Sequence, residues 1–293
     1  MRTRSLLLAL SMSLLFAPRV TALAEFGIEG IGVVSTRADE LRATRSADGR
    51  RLVWASNRDG GAGGWDLWQA TWQDARWSDP RPLPLDTAAD EVDPFLDADG
   101  RWLYFASNRK GGHGGFDLYR AALRDDGGFG PAQNLGPAIN GADHERSPAV
   151  HDQDGSLLLA SDRAGGAGGW DLWRAHRTGD GFAAPRPMTG LNNAGDEFDG
   201  AWLAGGRAVV FARGNGNGGA QLQLSHCRHG RWSAAQPLAL SFNSAEGDTR
   251  AALVDASTPG ELLVSGHARA PRAGGFDLYR MRAPASDGSG DCR

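Results

Sequence analysis

Phe105-Ala106-Ser107-Asn108-Arg109-Lys110-Gly111-Gly112-His113-Gly114-Gly115-Phe116-Asp117-Leu118-Tyr119 reads as a strand, a glycine-rich turn and a second strand, and the chain repeats this pattern along its length. The closing element recurs as Trp65-Asp66-Leu67-Trp68, Trp170-Asp171-Leu172-Trp173 and Phe276-Asp277-Leu278-Tyr279, with Ala220-Gln221-Leu222-Gln223 as an eroded copy. Successive aspartate positions are 51, 54, 50 and 56 residues apart. A period of that size signals a modular fold whose units must stack to bury their apolar faces.

Working outward, the element before the glycines recurs as Ser56-Asn57-Arg58 and Ser161-Asp162-Arg163, then more loosely as Ala212-Arg213-Gly214 and His267-Ala268-Arg269. Each unit opens on acidic residues: Asp39-Glu40, Asp90-Glu91, His144-Glu145, Asp196-Glu197 and Glu246-Gly247-Asp248. Within the second unit the strand-like runs are 94–97, 102–107, 116–122 and 132–135, with a turn at Asp99-Gly100. Four short antiparallel strands per unit, joined by glycine turns, describe a propeller blade. The expected fold is therefore all-β: a five-bladed β-propeller of four-stranded antiparallel blades over 25–284, with 285–293 as a C-terminal tail. A six-bladed ring with one unrecognised blade is the alternative. The fifth unit runs out at 280–284 without a fourth strand, while 28–35 precede the first unit. An N-terminal strand is thus expected to complete the last blade, since an open ring would leave two sheet edges unpaired.

The 105–119 stretch resembles the WD-like repeat of the TolB-type propeller family, and the likeness extends over essentially all of 25–284. It covers the propeller and not the N-terminal α/β domain of that family's best-known member, whose ring has six blades. The resemblance implies an exported propeller of the Gram-negative periplasm. It also implies binding or scaffolding of an envelope protein or peptide, a peptidoglycan-associated one among the candidates, with no enzymatic activity.

The ends and the composition agree with export. Arg2 and Arg4 precede an apolar stretch over 6–16 that ends in Ala22-Leu23-Ala24, which reads as a Sec signal peptide occupying 1–24. Ser11, Ser13 and Pro18 interrupt the stretch, and it is too short to span a bilayer. No cysteine follows it, so no lipid anchor is expected, and the mature chain is read as a soluble periplasmic or secreted monomer without a membrane anchor. Without Arg2, Arg4 and Arg19 the charged residues are 28 basic against 35 acidic, a net charge of −7, which argues against nucleic acid as a partner. Cys227 and Cys292 are a candidate disulfide in an oxidising compartment, two unpaired thiols being the alternative. His226, Cys227 and His229 are one ligand short of a zinc site. Asp97-Ala98-Asp99-Gly100 and Asp152-Gln153-Asp154-Gly155 begin like calcium loops but lack the closing glutamate, so they read as hairpin turns. No cofactor or metal is assigned, calcium being the one to consider.

Because strands alternate in direction, the glycine turns and the acidic openings should share one face of the disc. There Arg58, Arg109, Arg163, Arg213 and Arg269, near Asp66, Asp117, Asp171 and Asp277, are expected to form ion pairs that pin the glycine loops. The other carboxylates, Glu40, Glu91, Glu145, Glu197 and Glu246, with His144 in place of an acid, enter the innermost strands. They are the candidates for a ring around the channel mouth that attracts a basic peptide or a cation; the alternative is that each caps or pairs locally. Trp54, Trp65, Trp68, Trp102, Trp170, Trp173 and Trp202 recur in register and should pack between blades. A catalytic propeller would gather acids and bases where the repeat breaks. The broken fourth unit offers Gln221, Asn215 and Asn217 there, so no catalytic residue is assigned and glycoside hydrolysis is the alternative function.

Overall fold

The computed structural model describes residues 25–268, 271–288 and 292; residues 1–24, where a signal peptide is expected, and Arg269 lie outside the described residues. Every sheet of a blade is antiparallel. Blade 1 is Glu40–Arg45, Arg51–Ser56, Asp66–Gln73 and Arg76–Pro82, and blade 2 is Glu91–Leu96, Trp102–Ser107, Asp117–Ala122 and Gln133–Asn134. Blade 3 is Glu145–Val150, Leu157–Ser161, Asp171–Ala175 and Arg186–Pro187. Blade 4 is Glu197–Leu203, Ala208–Gly214, Ala220–Arg228 and Gln236–Pro237. Blade 5 is Thr249–Val254, Glu261–Gly266 and Asp277–Arg282, completed by Glu25–Ile28 from the start of the described chain.

The closing strand pairs Ile28 with Tyr279 and Gly27 with Arg280. It lies upstream of the expected 28–35 segment, which instead turns back on itself: the Gly30 carbonyl accepts the Val33 and Val34 amides. That turn brings Ser35 to the sheet, where its hydroxyl oxygen accepts the Leu278 amide. The first strands of consecutive blades touch all the way round, and blade 5 meets blade 1, so the ring closes at five blades and the six-bladed alternative is excluded.

Apolar side chains on the two faces of each sheet meet those of the next blade. Leu52, Trp54 and Trp68 of blade 1 pack on Leu263 and Leu278 of blade 5, and Leu158 and Leu172 of blade 3 pack on Val209 and Phe211 of blade 4. Trp54, Trp68 and Trp173 are buried, while Trp65, Trp102, Trp170 and Trp202 are partly covered. One glycine column sets the spacing. A Cβ at Gly63 would overlap the Ala89 carbonyl, and one at Gly168 the Gly195 carbonyl, because the connector into the next blade crosses directly over the turn. The motif aspartates hold these turns: Asp66 accepts the Ala62 and Gly63 amides, Asp171 those of Ala167 and Gly168, and Asp277 those of Ala273 and Gly274. Asp117 does the same for His113 and Gly114. Pinning is therefore as expected, but it works through backbone amides and not through the arginines.

Cys227, on the third strand of blade 4, and Cys292 form a disulfide with Cα atoms 5.6 Å apart. The Cys292 carbonyl accepts Arg174 of blade 3 at 2.8 Å, so the tail spans two blades. The zinc reading of Cys227 falls with the bridge. Asp97-Ala98-Asp99-Gly100 is a hairpin turn, with the Gly100 amide on the Asp97 carbonyl.

The connector position that Ser35 occupies before blade 1 carries asparagine before blades 3 to 5 and an acid before blade 2. Asn140, Asn192 and Asn243 each accept the amide of a motif leucine and return a side-chain N–H to that residue's carbonyl. Asp86 holds the same place, accepting the Leu67 and Leu83 amides, but has no amide to give. Burial, reinforced by the nearby Asp66 and Glu91 carboxylates, pushes its carboxyl up to about 8. The folded chain thus keeps a proton that the unfolded chain releases at ordinary carboxylate pH, so stability falls as pH rises from about 4 to about 8 and the loss then levels off. Asp86→Asn supplies the missing donor without a charge. Thermal melts across that range should show a flatter profile and a higher midpoint at pH 8 for the variant; parallel profiles would refute the account.

Candidate functional site

Each of blades 1 to 4 begins with a glutamate that is fully buried: Glu40, Glu91, Glu145 and Glu197. A carboxylate there needs a partner. Arg58 supplies it at 3.0 Å, Arg109 at 3.1 Å, Arg163 at 2.8 Å and Arg213 at 2.7 Å. Further oxygens accept the Thr36 and Thr87 amides and hydroxyls and the Gly141 and Asn193 amides. Burial raises the Glu40 and Glu145 carboxyls, and these hydrogen bonds and arginines oppose it. The guanidinium groups also donate to the connector arriving from the previous blade, at Val33, Val34, Leu85, Ile139 and Leu191. Arg58 lies over Trp54 and Trp68, and Arg109 over Phe105 and Tyr119.

One sequence expectation changes accordingly, and of the two readings of the glutamates the local one fits. The arginines pair with the glutamates and not with Asp66, Asp117, Asp171 or Asp277, which are occupied by the glycine turns. The four glutamates face inward to these staples, so they offer no carboxylate to the channel mouth. Glu246 is exposed on its connector, and Thr249 takes the glutamate's place in blade 5. Arg213 sits opposite Glu197 in register, where Ser56, Ser107 and Ser161 stand in other blades, and its long side chain makes the bond directly.

His144 belongs to a seam between blades. Asp39, Asp90, Asp196 and Asp248 each accept a backbone amide at, or one residue before, the start of the third strand of the preceding blade: Phe276, Trp65, Trp170 and Ala220, at 2.9–3.1 Å. His144 accepts the Phe116 amide through Nδ1 at 3.0 Å. Its ring lies between Phe116 and Trp170.

The side chains that fill the channel stand two positions after the opening glutamate or threonine: Arg42, Asp93, Ser147, Asp199 and Ala251. All have left-handed backbone, with φ from 48° to 57°, at a register break in the first strand. Such a conformation costs a non-glycine residue on the order of 1–2 kcal/mol. Arg42, fully buried, reaches from blade 1 to Asp199 of blade 4 at 3.4 Å and to the Pro148 carbonyl of blade 3 at 2.9 Å. Arg146 clamps Asp93 through Nε at 2.9 Å and Nη2 at 3.2 Å. The Ser147 hydroxyl donates to Asp199 at 2.7 Å and stands 3.3 Å from Asp93. Burial alone would raise Asp93, but Arg146 and Arg42 hold its carboxyl below the usual range. Two arginines and two aspartates therefore floor the channel as a neutral network.

Above this floor a cavity of about 400 Å³ opens toward blade 4, lined by Arg146, Trp170, Asp196, Phe198, Arg250 and the glycines of the 214–219 loop. The broken repeat explains the opening. Ala220 stands where Trp65, Phe116, Trp170 and Phe276 stand in other blades, and Gly214 stands where Asn57 and Asn108 do. The sequence pointed to unit four as the break but not to these lining residues. The signal was the column after each opening acid, where charge changes from unit to unit inside an otherwise apolar strand.

Asp66, Asp86 and Glu91 bring oxygens within 4.8 Å of one another, but Asp66 and Glu91 are already committed to the glycine turn and to Arg109. Removing one partner of a buried pair should be costly: Arg109→Ala leaves Glu91 unpaired and should lower unfolding free energy by about 3 kcal/mol in denaturant titrations. Arg101→Ala, at an exposed pair with Asp99, is the control and should change it by less than about 1 kcal/mol. Equal effects would contradict the staple.

No protein-family model matches the sequence, and no curated protein sequence does either. Solved structures do resemble it. A thermostable family-43 glycoside hydrolase aligns with a TM-score of 0.59 at 12% identity, over 88% of this chain and 94% of its own. An α-L-arabinofuranosidase from Lactobacillus brevis gives 0.59 at 13%, over 89% and 95%. TolB from Acinetobacter baumannii gives 0.51 at 11%, over 90% of this chain, which spans 65% of the length of that TolB. At such identities the likeness is one of fold, and the chain is a β-propeller of an architecture that serves both a glycoside hydrolase and TolB.

Proposed function

We propose that this protein is a non-enzymatic binding propeller that engages an envelope protein or peptide through the cavity beside blade 4. The observation that carries this reading is the state of the channel carboxylates. Asp93 is clamped ionised by Arg146 and so is not a ready proton donor for bond cleavage, and Asp199 is occupied in the same network, being held by Arg42 and Ser147. The cavity instead combines paired charges with Trp170 and Phe198, a mixture suited to recognition of side chains. The signal-like segment and the disulfide support a periplasmic or secreted location.

The second reading, a sugar-acting hydrolase, draws on one feature: Asp93 and Asp199 converge on the same hydroxyl at the base of the cavity. The two readings separate experimentally. A partner captured from envelope extract by the immobilised protein should be lost with Arg146→Ala and with Asp199→Asn, and 4-nitrophenyl α-L-arabinofuranoside should not be turned over. Turnover that disappears in both Asp93→Asn and Asp199→Asn would establish the hydrolase instead.

A further inference from the structure

Two complete copies of one arrangement, each with its arginine lining the cavity, accompany a third that lacks a component. In blade 5, Arg250 grips Asp248 through Nε at 2.8 Å and Nη2 at 2.5 Å, with its guanidinium 5.1 Å from the Phe276 ring centroid and 5.5 Å from that of Phe198. Between blades 2 and 3, Arg146 grips Asp93 and lies 5.1 Å from the Phe116 centroid. A guanidinium held by a carboxylate fork over an aromatic face is a strong pairing for a planar cation.

The third set is Asp196 with Trp170. Asp196 Oδ1 accepts the Trp170 backbone amide, and both residues line the cavity. In the equivalent seams the other oxygen is already occupied: Asn57 donates to Asp39 at 3.0 Å, Asn108 to Asp90 at 3.2 Å, and Arg250 to Asp248. Gly214 holds the asparagine's position, since its amide bonds the Asp196 carbonyl just as those of Asn57 and Asn108 bond Asp39 and Asp90. Having no side chain, it leaves Asp196 Oδ2 with no hydrogen-bond partner among the described residues, on the wall of the cavity and exposed. A Cβ built at Gly214 would stand 3.5 Å from that oxygen, so the empty volume is the volume a side chain would use.

We infer that the ligand completes this third set: an arginine side chain of a partner peptide pairs its guanidinium with Asp196 and lies against Trp170. The inference rests on the binding reading above and names the group recognised. Short flanking residues of the peptide would lie over the 214–219 glycines, where backbone can approach closely.

The probe is a fluorescein-labelled Gly-Gly-Arg-Gly-Gly amide, with a citrulline twin that keeps the shape and removes the charge, read by anisotropy at low salt. The arginine peptide should bind roughly tenfold or more tightly than the citrulline peptide, with an affinity that weakens as salt is added. Asp196→Asn, which keeps the acceptor for the Trp170 amide, should lose about the same factor. Gly214→Asn should abolish the preference by restoring the internal donor, with its melting temperature confirming an intact fold. Equal binding of the two peptides, or an unchanged preference in Gly214→Asn, would overturn the inference. An envelope partner still captured by Gly214→Asn but lost with Asp199→Asn would retain the binding reading and remove this one; loss of capture in neither would remove the binding reading itself.

Discussion

Everything in this molecule depends on a hydrogen bond made once at each junction: the amide at the entry to one blade's third strand, given to a side chain at the entrance of the next. Four of the acceptors are aspartates and one is His144, and the last of the five joins Phe276 to Asp39, bringing the end of the repeat array back to its beginning. Because the donor lies next to the glycine turn and the acceptor lies next to the buried glutamate in blades 1 to 4, or to Thr249 in blade 5, the seam fixes turn and channel strand together, and the staple with them wherever the glutamate is present. The glycines without Cβ are then a geometric requirement of the seam, since connector and turn pass within contact distance.

The buried Glu–Arg pairs follow from the same crowding. A connector that crosses a turn closely leaves carbonyls facing inward, and a guanidinium can satisfy those carbonyls and a carboxylate at once. Paired charges of this kind are weak evidence of net stabilisation, since well-packed apolar groups can serve as well. Their value here is in position: each arginine contacts the connector, the first strand and an aromatic face, so it sets the angle at which one blade follows another.

Much of this was legible in the sequence, for identifiable reasons. The Trp-Asp-Leu-Trp and Phe-Asp-Leu-Tyr copies recur at a spacing that admits little besides a blade, and the missing fourth strand of the last unit implied closure by the N-terminal end. The partners of Arg58 and its counterparts were not legible, because Asp66 is the nearer carboxylate in the chain and only the register brings the more distant Glu40 to the arginine. The N-terminal strand was placed a few residues late, since Ile28 to Ser35 looks extended until Gly30 is seen to turn. Most consequential was the column Arg42, Asp93, Ser147, Asp199 and Ala251. A repeat is recognised by what stays constant, whereas the chemistry of the channel sits where the units differ. The left-handed backbone at those positions, which turns them inward, has no marker in residue type, for none is glycine.

The bridge between Cys227 and Cys292 bears on how the molecule is finished. Blade 4 has exchanged its turn-pinning aspartate for Gln221, so its third strand carries less local restraint at one end, and the bridge holds that same strand near the other. Through Arg174 the bridged tail also reaches blade 3, so it ties together two neighbouring blades. Ring closure by the first strand and latching by the tail are thus separate events: one is complete as soon as the backbone pairs, and the other waits on an oxidant that the chain does not itself supply.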